Sequence, residues 1–538
     1  MSEDPERDLK GGEAAIEIEV LENALEGKGV MDIVPKYDRM WFFYPHLLQL
    51  NFLMLAPILA QVVSGFDGSM MNNLQSVTAW ENYFDSPKGV RLGTMSNGGT
   101  IGTLISTPFV SYICDYFGRK KALIGGCFVV VVGAIVQGTA QSFGAFMAGR
   151  ILLGIGSCLS STAAGPLITE CAYPTQRATV TAMLLASWPF GAFVAALVTW
   201  GTYNSAAVSN TEWSWRIPSI LQGFLPLVQI CIGLFGPESP RWLVDQGKVE
   251  QARKFFVKYH ANGDENSLLV NYQMAEITAT IEAEKAQRLG NWKHWIITKA
   301  MRHRLFIVAF VPAMLQLEGN ALISYYLHII LDNINITDAI EQLKINLGIT
   351  VYSLVTSVCI ASLADRLHRR TMFFTGLISM GICYIIWTIL SALDQKGGFS
   401  DKSLSIGVVA FIYIYSGFGN FCANIGTPYV MEVAPYSLRA SASMIYQLTG
   451  NIAGLFNNYV NPIAMEAITW KYYIVWCCWL PCLVAIVYFF FPETYGKGLE
   501  EVDSVFGGGL HQGLDAIREK AAADELNQKA AISHVEEN

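Results

Sequence analysis

Two acidic residues interrupt otherwise apolar stretches of this sequence. Asp67 ends one stretch, in Gly65-Phe66-Asp67-Gly68, and Glu318 lies within another. A charge in hydrocarbon costs several kcal/mol, but a carboxyl group in an apolar cavity can take up and release a proton. We predict that Asp67 couples protons, with an interfacial Asp that caps a turn as the alternative. Glu318 is predicted to take a second proton or to bind a cationic or hydroxyl group of a substrate, with a structural role as the alternative.

No residue pattern in the sequence is typical of an enzyme or of a metal site. His-x-x-x-His and Cys-x-x-Cys spacings are absent, and the adjacent pair Cys477-Cys478 indicates apolar packing. All eleven cysteines fall in or at the ends of apolar stretches, which argues against a disulfide framework. The net charge of −8 comes largely from the two chain ends and suggests no nucleic-acid partner. We therefore predict no catalytic residues, no cofactor and no metal.

The recurrence of apolar stretches defines the fold class. The 538 residues are 52% hydrophobic and 15% charged, whereas a soluble domain carries about 25% charged residues. Each stretch approaches the roughly 20 residues that a helix needs to cross a bilayer. Because lipid offers no partner to backbone N–H and C=O groups, these stretches must be helices. The sequence predicts an all-α membrane protein whose twelve spans lie near 47–67, 93–114, 122–141, 145–168, 178–201, 217–236, 305–330, 345–364, 371–392, 404–430, 442–463 and 470–491. Prolines within these spans predict kinks at Pro57, Pro166, Pro189, Pro226, Pro312 and Pro428.

The predicted organisation follows from the distribution of charge. Basic triplets after the second and eighth spans, together with many Lys and Arg between 241 and 304, place these loops and both chain ends in the cytoplasm. The predicted parts are a disordered tail (1–45), a six-helix bundle (46–237), a central loop (238–304), a second six-helix bundle (305–492) and a tail (493–538). Within the central loop, Val249–Tyr259 and 271–289 have helical periodicity and either dock on the membrane or brace the bundles. The sequon at Asn335 falls in a predicted outer loop and predicts glycosylation.

Three short patterns occur twice, in the same order and at similar separations. They are Asp115-x-x-Gly118-Arg119-Lys120 and Asp365-x-x-His368-Arg369-Arg370, then Glu170 with Arg177 and Glu432 with Arg439, then Pro237-Glu238-Ser239 and Pro492-Glu493-Thr494. The first Asp and the last Pro are 122 residues apart in one half and 127 in the other. Two copies of a six-helix unit account for this repetition.

These motifs resemble the sugar porter family of the major facilitator superfamily over residues 45 to 505. Gly319 through Tyr326, Asn461-Pro462-Ile463-Ala464 and Trp470-Lys471-Tyr472-Tyr473 are similar to the fungal lactose and cellodextrin permease branch. The resemblance implies a sugar:proton symporter, a multi-pass protein of the plasma membrane, that binds a small-molecule sugar and protons. It also implies that Asp67 faces Arg150, a cation that holds the carboxylate ionised until a conformational change separates them.

The resemblance further implies an inner gate of charge networks that close the inward face. Its residues would be Asp115, Arg119, Glu170, Arg177 and Glu238 in the first half, and Asp365, Arg369, Glu432, Arg439 and Glu493 in the second. The alternative is that these are solvated charges that set the topology.

Polar residues in the second half are the candidates for binding substrate. Sugars require many hydrogen-bonding groups and a flat apolar surface, so amides and aromatic rings are the expected lining. The predicted set is Gln316, Asn320, Tyr325, Tyr326, Asn424, Thr427, Asn457 and Asn458. The alternative is that such side chains join helices to one another.

Several positions depart from the family pattern. Most fungal relatives read Gln-Trp-Ser-Gly-Asn where this chain has Leu317 and Glu318 in place of Trp and Ser. Leu185 stands where sugar porters carry an amide, and Thr427 takes the place of a frequent Trp. These departures leave two further hypotheses beside sugar import. One is a transporter or exporter of a non-sugar polyhydroxy or secondary metabolite, and the other is a non-transporting sugar sensor. The sequence does not indicate an oligomeric state.

Overall fold

The structure is a computed structural model, and it describes residues 34–35, 41–286, 294–364, 366–398, 402–435, 438–495 and 506. Most of the two predicted tails and a short part of the central loop lie outside these residues. Asp365 of the predicted inner gate also lies outside them, as does the side chain of Leu185.

The described part of the chain is helical and contains no β-strand. In the first half the helices are α1 (Pro45–Gln75), α2 (Thr78–Tyr83), α3 (Gly89–Phe117), α4 (Arg119–Gly138), α5 (Phe143–Cys171), α6 (Arg177–Ala186), α7 (Trp188–Asn204), α8 (Trp213–Leu221) and α9 (Phe224–Phe235). The central loop forms α10 (Pro240–Asp245), α11 (Val249–Tyr259), α12 (Leu268–Ala286) and α13 (His294–Ile297). In the second half they are α14 (Lys299–Gln316), α15 (Asn320–Asp332), α16 (Ala339–Ala364), α17 (Arg369–Lys396), α18 (Lys402–Val433), α19 (Arg439–Ile468) and α20 (Tyr473–Phe490).

Most of these helices belong to runs that are long and apolar enough to cross a membrane. Ten such runs occur among the described residues, and the last of them, Ser441–Phe490, contains both α19 and α20. The 29-residue helix α3 completes the set of twelve, although Gly, Ser, Thr and Asn make its first half less apolar. The predicted all-α membrane fold is therefore confirmed, and the described helices agree with twelve spans once α3 is counted.

Three of the twelve spans consist of two helices. The fifth is divided at Ser187 and the sixth at Gln222–Gly223, two to four residues before Pro189 and Pro226. A proline removes one N–H donor and displaces the preceding carbonyl, which explains these two breaks. The seventh span is divided between Gln316 and Asn320, where no proline stands. The helices that contain Pro57, Pro166, Pro312 and Pro428 are continuous.

The chain forms two compact units, each with its own apolar core. One comprises Met1–Phe84 and Gly98–Arg288, and the other comprises Asp85–Asn97 and Leu289–Asn538. The core of the first unit joins α1, α4 and α5 to the central-loop helices. The core of the second unit is rich in aromatic residues from α17, α18 and α20.

Three of the central-loop helices, α10, α11 and α12, pack on the first unit. Helix α11 spans Val249–Tyr259 as the periodicity predicts, whereas α12 begins at Leu268, three residues earlier than predicted. Phe256 of α11 is buried in the same core as Leu47 and Leu50 of α1. These helices therefore brace the unit to which they belong.

His260, at the end of α11, lies at the centre of this packing. Its Nδ1 atom is 2.9 Å from Gln273 Oε1, and its Nε2 atom is 3.3 Å from the carbonyl oxygen of Cys171. Burial lowers the pKa of His260 from 6.5 to about 4. The imidazole is therefore neutral in the folded protein at neutral pH.

The stability of this packing is expected to fall on acidification, because the unfolded segment binds a proton more readily than the folded one. Stability is full above the unfolded pKa of about 6.5 and declines as the pH falls toward about 4. Local opening of α11 should be easier by about 2 kcal/mol at pH 5 than at pH 7.5. Hydrogen exchange of Val249–Tyr259, corrected for the intrinsic rates, measures this difference. In His260→Gln, whose side chain does not titrate, the difference between pH 5 and pH 7.5 should disappear. An unchanged difference would contradict the assignment of this pH dependence to His260.

Asn335 lies in the turn that follows α15. Its side chain is exposed and its φ angle is 61°, a left-handed value that Asn tolerates better than most residues. The sequon is thus accessible in the folded chain, and its glycosylation stays a prediction.

Candidate functional site

Asp67 lies inside a membrane-spanning helix. Helix α1 continues to Gln75, beyond the predicted end of the span at residue 67. Asp67 therefore lies within the helix and does not cap a turn, so its position differs from the turn-capping alternative. A carboxylate at this depth requires a partner that offsets the cost of its charge.

Arg150 of α5 and Gln222 of the sixth span supply these partners. Arg150 Nη1 donates to Asp67 Oδ1 at 2.5 Å, and Gln222 Nε2 donates to the same oxygen at 2.7 Å. The side chains of Arg150 and Asp67 are 3% and 14% exposed, so the pair is largely withdrawn from solvent. The break at Gln222–Gly223 brings this amide to the pair. Both donors engage Oδ1 rather than Oδ2.

Glycines in α3 and α5 make the approach to this pair possible. A Cβ atom at Gly154 would lie 2.0 Å from the carbonyl oxygen of Gly99, so the two helix backbones are in direct contact. A Cβ atom at Gly99 would lie 3.3 Å from Asp67 Oδ2. A larger residue at Gly154 would push α3 away, and at Gly99 it would crowd Oδ2 of Asp67.

Glu318 lies in the interruption of the seventh span. The residue is 1% exposed, and its Oε2 atom has no hydrogen-bond partner among the described residues. Gly319, the next residue, has a φ angle of 98°, a left-handed conformation that Gly adopts without the steric cost of a side chain. The carboxyl group is therefore held in the core of the second unit, where its charged form is costly and its protonated form is not.

Three side chains donate to main-chain carbonyl groups at the interruption, of which that of Gly319 also accepts from the backbone N–H of Leu322 at 3.2 Å. Asn457 Nδ2 donates to the oxygen of Gln316 at 2.6 Å, Tyr415 Oη to that of Glu318 at 3.1 Å, and Tyr384 Oη to that of Gly319 at 3.0 Å. The amide of Asn457 thus donates to a main-chain oxygen of another helix. This contact is of the kind expected if such side chains join helices to one another.

The other predicted substrate-binding residues fall into two groups. Gln316, Asn320 and Tyr325 are partly exposed beside the interruption. The remaining side chains contact protein groups. Asn424 exchanges two hydrogen bonds with Ser357, at 2.9 and 3.1 Å; Thr427 donates to Tyr446 at 3.1 Å; and the buried Tyr326 donates to the main-chain oxygen of Asn458 at 2.6 Å. Asn458 Oδ1 is buried without a partner in the described structure.

In the first unit, predicted inner-gate residues form one network at the ends of α3, α4 and α5. Arg119 lies 3.1 Å from Asp115 and 3.8 Å from Glu170. Ser239 donates to Glu170. Glu238 Oε1 accepts from the backbone N–H of Lys120 at 2.9 Å, at the start of α4. A carboxylate in this position also interacts favourably with the helix dipole.

The second unit repeats this network with equivalent residues. Arg369 donates to Glu432 at 3.0 and 3.2 Å, and Thr494 donates to the other Glu432 oxygen at 2.5 Å. Glu493 accepts from the backbone N–H groups of Arg369 and Arg370 at 2.9 and 3.1 Å, at the start of α17. The repeated spacing in the sequence therefore corresponds to a repeated three-dimensional arrangement.

One member of the predicted gate, Arg177, differs from this pattern. Arg177 is exposed and forms no ion pair with a described residue, so the structure does not join it to Glu170. Arg439 begins α19, and its Nε atom is buried.

Sequence reasoning missed several residues of these sites. Gln222 carried no signal because a lone Gln in an apolar run is unremarkable without its three-dimensional neighbours. Tyr384 and Tyr415 looked like core aromatic residues for the same reason. Ser239 and Thr494 could have been found, because each follows the repeated Pro-Glu pair and both carry a hydroxyl group.

Comparisons with known proteins cover most of the chain. A family profile described as "Sugar (and other) transporter" matches residues 53–506. The MFS-type transporter oryC of Aspergillus oryzae is 26% identical over 419 residues, 77% of each chain. The high-affinity glucose transporter of Kluyveromyces lactis is 26% identical over 496 residues, 86% of each chain.

Solved structures of similar shape include the xylose transporter XylE from E. coli. Its inward open form has a TM-score of 0.68 at 19% identity and covers 85% of this chain and 99% of XylE. A second structure, described as the major facilitator superfamily proton:xylose symporter XylE bound to 6-bromo-6-deoxy-D-glucose, has a TM-score of 0.65 at 19% identity, with the same coverage. At this level of identity the likeness concerns the fold.

Proposed function

Since this chain belongs to the Sugar (and other) transporter family, the sugar porters of the major facilitator superfamily, we propose that it imports a sugar together with protons by alternating access. The chain is a multi-pass membrane protein with the major facilitator fold, and it is a transporter rather than an enzyme. The predicted membership of the sugar porters is thus confirmed. Its place in the lactose and cellodextrin permease branch and in the plasma membrane stays a prediction.

The observation that carries the proposal of proton coupling is the cluster of Asp67, Arg150 and Gln222. Arg150 and Gln222 stabilise the ionised carboxylate through two short hydrogen bonds to one oxygen. A movement that lengthens these bonds would leave Asp67 with an uncompensated charge, and uptake of a proton at Oδ2 would neutralise it. The pair can therefore exchange one proton for each change of conformation.

The part of the seventh span beside the interruption supports the proposal of a sugar substrate. Gln316 and Asn320 offer amide groups, Tyr325 offers an aromatic ring, and all three are partly exposed. Amides donate to and accept from hydroxyl groups, and an aromatic face covers the apolar side of a sugar ring. Glu318 is proposed as a second proton-binding group because it is buried and forms no ion pair with any residue that the structure describes.

Uptake of labelled mono- and disaccharides into cells that lack their own sugar transporters tests this function. We expect accumulation of at least one sugar, and we expect a protonophore to abolish it because the proton gradient supplies the free energy. Uptake that equilibrates without accumulation, with or without a protonophore, would contradict symport but retain sugar transport. No uptake of any sugar would contradict both.

A transporter or exporter of a non-sugar metabolite is the second candidate. Glu318 favours it, because an acidic group stands where most fungal relatives carry Ser, and Asn424 and Thr427 contact protein groups. Efflux of polyhydroxy compounds from loaded cells, with no uptake of sugars, would favour this alternative. A non-transporting sugar sensor would bind a sugar and show neither flux.

A further inference from the structure

The interruption of the seventh span is an ordered, hydrogen-bonded structure rather than a frayed helix end. Leu317 closes α14 through hydrogen bonds to Ala313 and Met314, and Asn320 begins α15 after the left-handed Gly319. A helix end inside a membrane leaves carbonyl groups that lipid cannot satisfy. The carbonyl groups of Gln316 and Glu318 instead accept from buried side chains, and a third buried side chain adds a second hydrogen bond to the carbonyl group of Gly319.

The three donors come from three different helices of the second unit. Tyr384 belongs to α17, Tyr415 to α18 and Asn457 to α19, and each is at most 1% exposed. Together they fix the interruption from three neighbouring helices. Movement of any one of these three helices therefore releases only one of the three bonds.

The aromatic packing around Tyr384 fixes the direction of its hydroxyl group. Its ring stacks on Trp387 at a centroid distance of 4.9 Å and meets Tyr415 edge-on at 5.0 Å. A Cβ atom at Gly319 would lie 2.6 Å from Tyr384 Oη, so the hydroxyl group occupies the space that any other residue at 319 would need. The missing side chain of Gly319 thus permits both the left-handed turn and the hydrogen bond.

We propose that Tyr384, Tyr415 and Asn457 are positioning residues of the transport site, because their hydrogen bonds to Gln316, Glu318 and Gly319 hold the interruption in place. This inference rests on the proposed function. The interruption leaves Gln316 and Asn320 partly exposed on its two sides while Glu318 is turned into the core. Loss of the donors would let these three side chains change direction together.

Hydrogen exchange on the purified full-length protein, together with uptake kinetics, tests the inference. Tyr384→Phe and Tyr415→Phe keep the rings and remove only the hydroxyl groups. The matched control is Tyr413→Phe, because Tyr413 is also on α18 and donates to a main-chain oxygen, that of Ile345, at 3.0 Å away from the interruption. We expect amides of residues 317–325 to exchange roughly tenfold faster in the first two variants and to be unchanged in the control.

The uptake measurement distinguishes a positioning role of the two tyrosine hydroxyl groups from a role in protein stability alone. We expect the KM for the transported sugar to rise by roughly tenfold in Tyr384→Phe and Tyr415→Phe, with a smaller change in turnover. Exchange at 317–325 that matches the control would overturn the inference, and so would faster exchange with unchanged KM. A wild-type protein that takes up no sugar would overturn the proposed function alone, because the exchange comparison requires no substrate.

Discussion

Asp67→Asn is expected to abolish uphill accumulation of the transported sugar while leaving exchange across the membrane. Asparagine retains the size of the side chain and can still accept from Arg150 and Gln222 through its single carbonyl oxygen, but it cannot bind and release a proton. A proton that crosses about 100 mV releases about 2.3 kcal/mol, which supports an accumulation of roughly 50-fold. We expect this ratio to fall to about one in the variant, as at equilibrium.

The measurement is the steady-state ratio of labelled sugar inside and outside, together with counterflow into vesicles preloaded with unlabelled sugar. Asp85→Asn is the control, because Asp85 is also paired with an arginine, Arg91, at 3.9 Å, but its side chain is 85% exposed. Exposed ion pairs of this kind contribute little to the stability of the folded protein. Proton-driven accumulation by Asp67→Asn that equals the wild type would refute the assignment of Asp67 as the coupling residue.

Glu318→Gln is expected to change the dependence of uptake on pH. Glutamine has the shape of the protonated carboxyl group and cannot lose a proton. If Glu318 works as an acid within the core, the variant should retain uptake at acidic pH within about twofold of the wild type. We expect uptake by the wild type to decline at alkaline pH, where ionisation would place an unpaired charge in an apolar site, and we expect the variant to lack this decline.

Initial rates of uptake between pH 5 and pH 8, with KM and the range of accepted sugars measured at each end, decide this question. Glu341→Gln, an exposed glutamate at the start of α16, controls for the change in net charge. A profile, KM and substrate range identical to those of the wild type would mean that Glu318 is structural.

Arg150 and Asp67 illustrate a pairing that motifs predicted, although its function stays untested. The resemblance to the sugar porters placed the two side chains face to face, and in the structure they form an ion pair. The repeated spacing around Arg119 and Arg369 predicted two equivalent networks in the same way. Arg177 is the exception, because an interval of seven residues across a proline does not determine where its side chain points.

Glu318 and Asn457 illustrate what patterns could not predict. The sequence identified both as polar residues in spans. It did not indicate that one carboxyl oxygen of Glu318 lacks a partner in the described part of the chain, or that the amide of Asn457 donates to a carbonyl group at a helix interruption. Whether an asparagine meets a substrate or a carbonyl group depends on the other helices around it. Tyr384 and Gln222 gave no signal at all, because their contacts join residues 65 and 155 positions apart.

The sequence by itself determined the class of the molecule, a helical membrane protein with repeated apolar spans and repeated motifs. The reason is that the bilayer imposes one requirement everywhere: about 20 apolar residues for each helix and internally satisfied backbone groups. The tertiary structure alone decided where α14 ends and α15 begins, which donors satisfy the carbonyl groups between them, and how Gln222 joins Arg150 at Asp67. Those features depend on close packing between helices that are distant in the chain, and hydrophobicity and spacing do not determine such packing.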